Sequence, residues 1–415
     1  MREHPIKNRK SKIVNRKSNM NPTLPKGFRA AGIAAGIKKN GKADLALISS
    51  ETDCVAAAVF TTNKMKAAPV IHDQKLIADG NKVRAVIINA GCANACTGEQ
   101  GLKDCQETAQ LVSAQLKCDA KNVFVMSTGV IGVNLPMDKM RDGIPNAVNA
   151  LNEEGLYAAA HAIMTTDTVP KVAGDELQVP KPDKGVGKSA RFAGIAKGAG
   201  MIHPNMATML AVVMTDAVVQ PDVLKKALGV ASRKSFNRIS VDGDTSTNDT
   251  LLVIANGASG LEPSAMEVEI LLTSVCIDLA KQIARDGEGA TKFITIEVTG
   301  AKDEKMAENV GRTIAKSPLV KTAFYGEDAN WGRITCAAGY SGEDVAPEKM
   351  SLWFGGVHVF ANGMPTKYSE EEATAAMKPH DVLVKLDLGL GTASATVWTC
   401  DFSHEYVTIN GKYRT

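Results

Sequence analysis

Apolar residues recur in two rhythms along the 415-residue chain. Short runs rich in Val, Ile and Ala have the length and composition of strands: "ADLALIS", "CVAAAVFTT", "VRAVIINAG" and "NVFVMSTG" in the first half. Between the last two, "GEQGLKDCQETAQLVSAQL" spaces its apolar residues for a helix, and "MDKMRDGIPNAVNAL" and "EGLYAAAHAIM" predict two more. A polar connector rich in Lys and Pro, "QVPKPDKGVGKSAR", comes next. The second half predicts strands at "MLAVVMTDAVV" and "DTLLVIANG", then a long helix, "EPSAMEVEILLTSVCIDLAKQIARDGE". A strand "TKFITIEVTG", a helical run "DEKMAENVGRTIAKSPLVKTAF" and strands "SLWFGGVHVF" and "VLVKLDLG" follow. This order fits an α+β (mixed α/β) chain in which mixed sheets pack against helical layers.

Composition narrows the class. A hydrophobic content of 44% with 22% charged residues is that of a soluble globular protein. Much of the net charge of +3 comes from the first twenty residues, which carry seven Lys or Arg against one Glu. The remaining body is slightly acidic, which leaves no footprint for nucleic acid. The tail has no apolar core and is not a secretory signal. Of a transit peptide, a disordered arm and an extension ahead of a start at Met20, the last fits best, so residues 1–21 are read as a disordered basic extension. No run approaches the roughly eighteen apolar residues that span a bilayer, so no membrane partner is expected. Eight cysteines without a CxxC pattern read as reduced thiols in a cytoplasmic enzyme, and no metal site is expected.

Several motifs bear on chemistry. "GVGKS" lacks the earlier glycine of a phosphate loop, Pro182 standing in its place. "SVDGDTSTND" lacks the closing glutamate of a calcium loop and reads as a turn bonded to its own side chains. "MSTGVIG" is a strand ending in Ser-Thr-Gly, able to offer an N–H and a hydroxyl to an oxyanion or simply to turn. In "IAKGAGMIHPNMATMLAVVMTDA", Thr208 is the only hydroxyl in nine uncharged residues from Met206 to Met214. It could fill a strand position. It could also be a nucleophile, if cleavage before it freed an α-amine with a pKa of about 7.7–8.0 to serve as its base. No GxSxG or HExxH pattern offers another route.

The chain resembles the ornithine acetyltransferase family, also called glutamate N-acetyltransferase, of arginine biosynthesis. The resemblance rests on "KGAGMIHPNMATMLAVVMTDA", "NAGCANACTG", "MSTGVIG", "IMTTDTVPK", "SFNRISVDGDTSTND", "ARDGEGATK", "FYGEDANWGRI" and the terminal "INGKYRT", and it extends from about residue 22 to the end. It implies an N-terminal-nucleophile-like fold with β-sheets between helical layers, shared with self-processing aminopeptidases. It also implies self-cleavage between Ala207 and Thr208, giving an α chain of residues 22–207 and a β chain of residues 208–415. Thr208 then becomes the nucleophile, and Thr128 and Gly129 stabilise the oxyanion. Substrate contacts fall on Thr165, Lys197, Thr208, Glu288, Asn410 and Thr415. Thr166 is the adjacent alternative in "MTTDT", and spacing from "MSTGVIG" favours Thr165.

The implied activity moves an acetyl group from N2-acetylornithine to glutamate through an ester on Thr208. No cofactor is implied, acetyl-coenzyme A being a further co-substrate, and the assembly expected is a heterotetramer of two α and two β chains. Three rivals remain open from the residues: a self-processing aminopeptidase or amidase, a monofunctional transferase, and an uncleaved binding protein. Lys197 suits a substrate carboxylate and Glu288 a substrate ammonium. Gly198 and Gly200, with Pro204, suit a strained turn before the cleavage point, and His203 is read as structural rather than basic.

Overall fold

The uncharged run after Met209 forms a strand buried on both faces, and the first sheet is built around it. A computed structural model of the chain describes residues 21–179, 187–203 and 209–412. The first sheet comprises β1 (Phe28–Ile33), β2 (Leu45–Phe60), β3 (Val83–Cys92), β4 (Val123–Val130), β5 (Lys171–Val179), β6 (Lys188–Lys197) and β7 (Leu210–Thr215). A two-residue strand, β8 (Ile239–Ser240), belongs elsewhere, and β9 (Thr250–Ala255) completes the sheet. The order is β4-β3-β2-β9-β7-β6-β5, with β1 added on β2. The β3–β4 and β7–β9 pairs are parallel and the others antiparallel.

Period-two alternation decides which face each residue serves. Leu210, Val212 and Met214 join Ile195, Leu252 and Ile254 on one side. Ala211 and Val213 face the other, against helices Pro221–Lys234 and Ala265–Arg285. Helices Gly98–Leu116 and Met137–Asn149 cover Leu45, Leu47, Ile87 and Val125.

The second sheet comprises β10 (Phe293–Ala301), β11 (Ser351–Phe354), β12 (Val357–Ala361), β13 (Met364–Pro365), β14 (Asp381–Asp387) and β15 (Ala393–Cys400), with β8 at its edge. Its order is β13-β12-β11-β14-β10-β15-β8. Helix Glu304–Lys316 packs on it, and helix Ala265–Arg285 shares a core with its Phe293, Trp398 and Cys400. The expected mixed sheets with helical layers are therefore present. Among the described residues no helix is long and apolar enough to cross a membrane.

Local expectations needed four corrections. "ADLALIS" and "CVAAAVFTT" are parts of one 16-residue strand, β2. Their polar junction lies where β2 exchanges β3 for β9 as its neighbour, so exposed Glu51, Thr52 and Asp53 interrupt burial without ending the strand. The polar connector contains the arms of a hairpin, Val179 pairing with Lys188; residues 180–186 lie outside the described residues. The helical run from Asp303 breaks at Ser317, which caps a second helix, Pro318–Tyr325, whose proline stands where no N–H is needed. "SLWFGGVHVF" is two strands, β11 and β12, turning at Gly355 and Gly356.

Candidate active site

The cleft begins where parallel β3 and β4 end side by side. Gly129 has φ +134°, and a Cβ there would stand 2.3 Å from the Gly91 carbonyl carbon, so only glycine lets the strand ends approach. Asn248, in the loop before β9, ties both ends together. Its amide donates to the Ala93 carbonyl at 2.6 Å and the Ser127 carbonyl at 2.8 Å. Thr128, the next residue, is half-buried and lines the cleft.

The opposite wall is the end of β6. Lys197 is buried there, its ammonium 4.0 Å from an oxygen of Asp167. Asp167 also accepts from the Thr165 N–H at 2.9 Å, the Gly198 N–H at 2.7 Å and the Lys171 ammonium at 2.7 Å. Burial alone would raise the Asp167 pKa, but Lys197 and Lys171 outweigh it and hold the carboxyl below the usual range. Burial lowers the Lys197 pKa, and Asp167 is the chief group opposing that shift. Lys171 is fully buried and pairs with Asp286 as well, which in turn accepts from the Thr168 hydroxyl and N–H.

The glycine-rich segment after Lys197 is held turn by turn. Gly198 has φ +151° and Met201 has φ +56°. Asp242 accepts from the N–H groups of Met201 at 2.6 Å and Ile202 at 2.8 Å. His203 contacts the Ser240 hydroxyl through Nδ1 at 3.0 Å, while Nε2 faces an Arg312 nitrogen at 3.0 Å. Burial first, then Arg312 and Lys316, push its pKa down to about 4. A histidine that accepts from a guanidinium is neutral at pH 7, which fits the structural role expected of it. The "SVDGDTSTND" segment is a turn, as expected, but its Asp242 and Asn248 brace both sides of the cleft.

Glu288 closes the third side. Its N–H donates to the Ala199 carbonyl at 2.9 Å, and its carboxylate lies so close to Gly200 that a Cβ there would meet Oε2 at 2.3 Å. Helix His404–Lys412 brings Asn410, whose amide donates to Glu288 Oε2 at 2.8 Å. That helix is anchored by Tyr406, which stacks on Phe402 with ring centroids 4.7 Å apart and reaches Asp242 with its hydroxyl.

Thr128, Gly129, Thr165, Lys197, Glu288 and Asn410, singled out in separate motifs, all line one cleft of about 110 Å³, as does Thr166. Met209 and Leu210 line it too. Pro204, Ala207, Thr208 and Thr415 lie outside the described residues. Sequence reasoning missed Asp167, Lys171, Asp242 and Asn248. Asp167 stood inside the quoted "IMTTDTVPK", and its value as a signal was that of a lone acid between threonines and a lysine.

Charged groups buried at strand ends around a cleft define an enzyme of the mixed-sheet α+β class. A model of the ArgJ family matches residues 29–415, and the chain belongs to that family. It is 48% identical over 401 residues to the arginine biosynthesis bifunctional protein ArgJ of Geobacter sulfurreducens, covering 94% of this chain and 99% of that one. The corresponding mitochondrial protein of Chaetomium globosum is 46% identical, over 95% of this chain and 89% of its own. A crystal structure of ornithine acetyltransferase complexed with ornithine from Mycobacterium tuberculosis shares 42% identity. Its TM-score is 0.41, over 47% of this chain and 100% of that one.

Proposed function

We propose that the chain transfers an acetyl group from N2-acetylornithine to glutamate, giving ornithine and N-acetylglutamate in arginine biosynthesis, and also acetylates glutamate from acetyl-coenzyme A. Near-full-length identity to relatives named bifunctional arginine biosynthesis proteins supports this. The observation that carries the reading is a cleft holding buried Lys197 and buried Glu288, a cation and an anion for the two charged ends of an amino acid.

The precursor cuts itself between Ala207 and Thr208, the Thr208 hydroxyl attacking the Ala207 carbonyl before water releases the ester. The products are an α chain of residues 22–207 and a β chain of residues 208–415, assembled as two of each in the cytoplasm. In the transfer reaction the Thr208 α-amine takes the hydroxyl proton as its oxygen attacks the acetyl carbonyl. Thr128 and Gly129 stabilise the oxyanion, a contribution of about 100–1000-fold per donor. The C–N bond breaks, ornithine leaves with the proton, and acetyl remains on Thr208. The glutamate α-amine then attacks this ester, its proton passes through the Thr208 amine, and the Thr208 hydroxyl is restored. Lys197 pairs with the substrate carboxylate. Glu288 and Asn410 bind the ammonium side, and Thr165 and Thr415 complete the pocket. No cofactor takes part.

Incubation of the purified protein with N2-acetylornithine, with and without glutamate, tests the proposal. Ornithine release beyond the first equivalent per enzyme should require glutamate and match the N-acetylglutamate formed. Acetate release independent of glutamate would identify a hydrolase instead. Acetylglutamate formation from acetyl-coenzyme A tests the second activity.

A further inference from the structure

We propose that Asp167 is a positioning residue that fixes Lys197 as the carboxylate-binding cation and that the neighbouring Lys171 ammonium, held on the other oxygen of the same acid, opposes the Lys197 charge, an inference resting on the acetyltransfer reading. Three contacts converge on this one carboxylate besides Lys197 itself. It accepts from the N–H of Thr165 and from the N–H of Gly198, the residue that follows Lys197. It also receives the Lys171 ammonium. A single acid thus joins the Thr165 loop, the end of β6 and the turn leading toward the cleavage point.

The arrangement of charges gives the pair a sign. Lys197 is faced by Asp167, Glu288 and Asp249, which favour its charge, and by Lys171, which opposes it. Lys38 is a second like charge within electrostatic reach of both Asp167 and Lys197, with its own ammonium bonded to the carbonyls of Ala43 at 2.6 Å and Ala162 at 3.2 Å. Asp286 holds Lys171 from behind. Two lysines therefore share Asp167, one at 2.7 Å and fully enclosed, the other at 4.0 Å and lining the cleft. They approach different oxygens, Lys171 at Oδ1 and Lys197 at Oδ2, so the two ammonium charges are held side by side by one acid.

Opposite substitutions should act in opposite directions. In Asp167→Asn, Lys197 loses the group that chiefly favours its charge. The alkaline limb of kcat/KM should move to lower pH, and KM for N2-acetylornithine should rise at least about tenfold above that limb. In Lys171→Met, a like charge is removed while Asp167 still faces Lys197, so the limb should move to higher pH. Full-length protein is used for both, with thermal unfolding to establish that each is folded. If Asp167→Asn does not fold, the sign in Lys171→Met decides alone. Limbs that stay fixed, or that move together, would overturn the proposal, since a merely structural acid lowers activity without moving the profile in opposed directions. An inactive wild type would count against acetyltransfer itself. The same variants would then be read through the Lys197 ammonium titration by NMR, with the same opposed signs required.

Discussion

Strand β14 alternates strictly, with Val382, Val384 and Leu386 buried and Asp381, Leu383 and Lys385 exposed. Its inner residues meet Ile294, Ile296 and Val298 of β10 and the apolar stripe of helix Glu304–Lys316. The end of β6 in the first sheet is built otherwise. Its last six residues, Phe192–Lys197, are all buried, and the run finishes on a lysine enclosed with Asp167, Lys171 and Glu288. Taking such ions out of water costs several kcal/mol each, and only close opposite charges and hydrogen bonds offset it. Four such groups gathered at one strand end mark a place built for charge rather than for packing alone. The second sheet stabilises mainly by apolar burial, with buried Lys321 bonded to Thr399 as an exception, and it reaches the cleft from two places. Strand β8 leads into Asp242, and in the C-terminal extension Asp401 holds the Thr291 and Lys292 N–H groups and helix His404–Lys412 delivers Asn410.

Substitutions that separate the two regions should differ in kind as well as size. Thr208→Ala is expected to abolish both self-cleavage and acetyl transfer, read by denaturing mass spectrometry and by ornithine release; an active, uncut variant would sink the assignment. Gly129→Ala puts a Cβ against the Gly91 backbone at an unfavourable φ, so kcat should fall by about 100–1000-fold if the proposed oxyanion donors separate. Leu386→Ala in the second sheet should lower stability by about 2–5 kcal/mol in a denaturant titration. Its KM and kcat per folded molecule should stay at the wild-type values, and a specific loss of activity would show that the second sheet does more than support. The smallest effect concerns pH. His203 has a folded pKa of about 4 against an ordinary 6.5, so the unfolded chain takes up its proton first as pH falls. Its contribution is complete above pH 6.5 and lost as pH drops from there toward 4. His203→Gln should flatten that part of the stability profile.

The layered mixed-sheet architecture was legible because β7, β9 and helix Ala265–Arg285 carry uninterrupted apolar or helical patterns. Strand β2 was split because burial, the quantity that periodicity tracks, lapses at Glu51–Asp53 while the backbone pairing continues. The hairpin of β5 and β6 was hidden for a related reason: Lys188 and Arg191 are exposed and read as linker. Motifs pointed to residues that the fold gathers around one cleft. Their supports stayed invisible, because Asp167 meets Gly198 across 31 positions and Asn248 meets Ala93 across 155, distances that no local spacing encodes.

The account turns on one backbone scission. Denaturing mass spectrometry with N-terminal sequencing, performed on material first shown to transfer acetyl groups, reads it directly. Two fragments are predicted, the second beginning Thr-Met-Leu-Ala-Val; an active preparation containing only an intact species near 43.9 kDa would contradict the account.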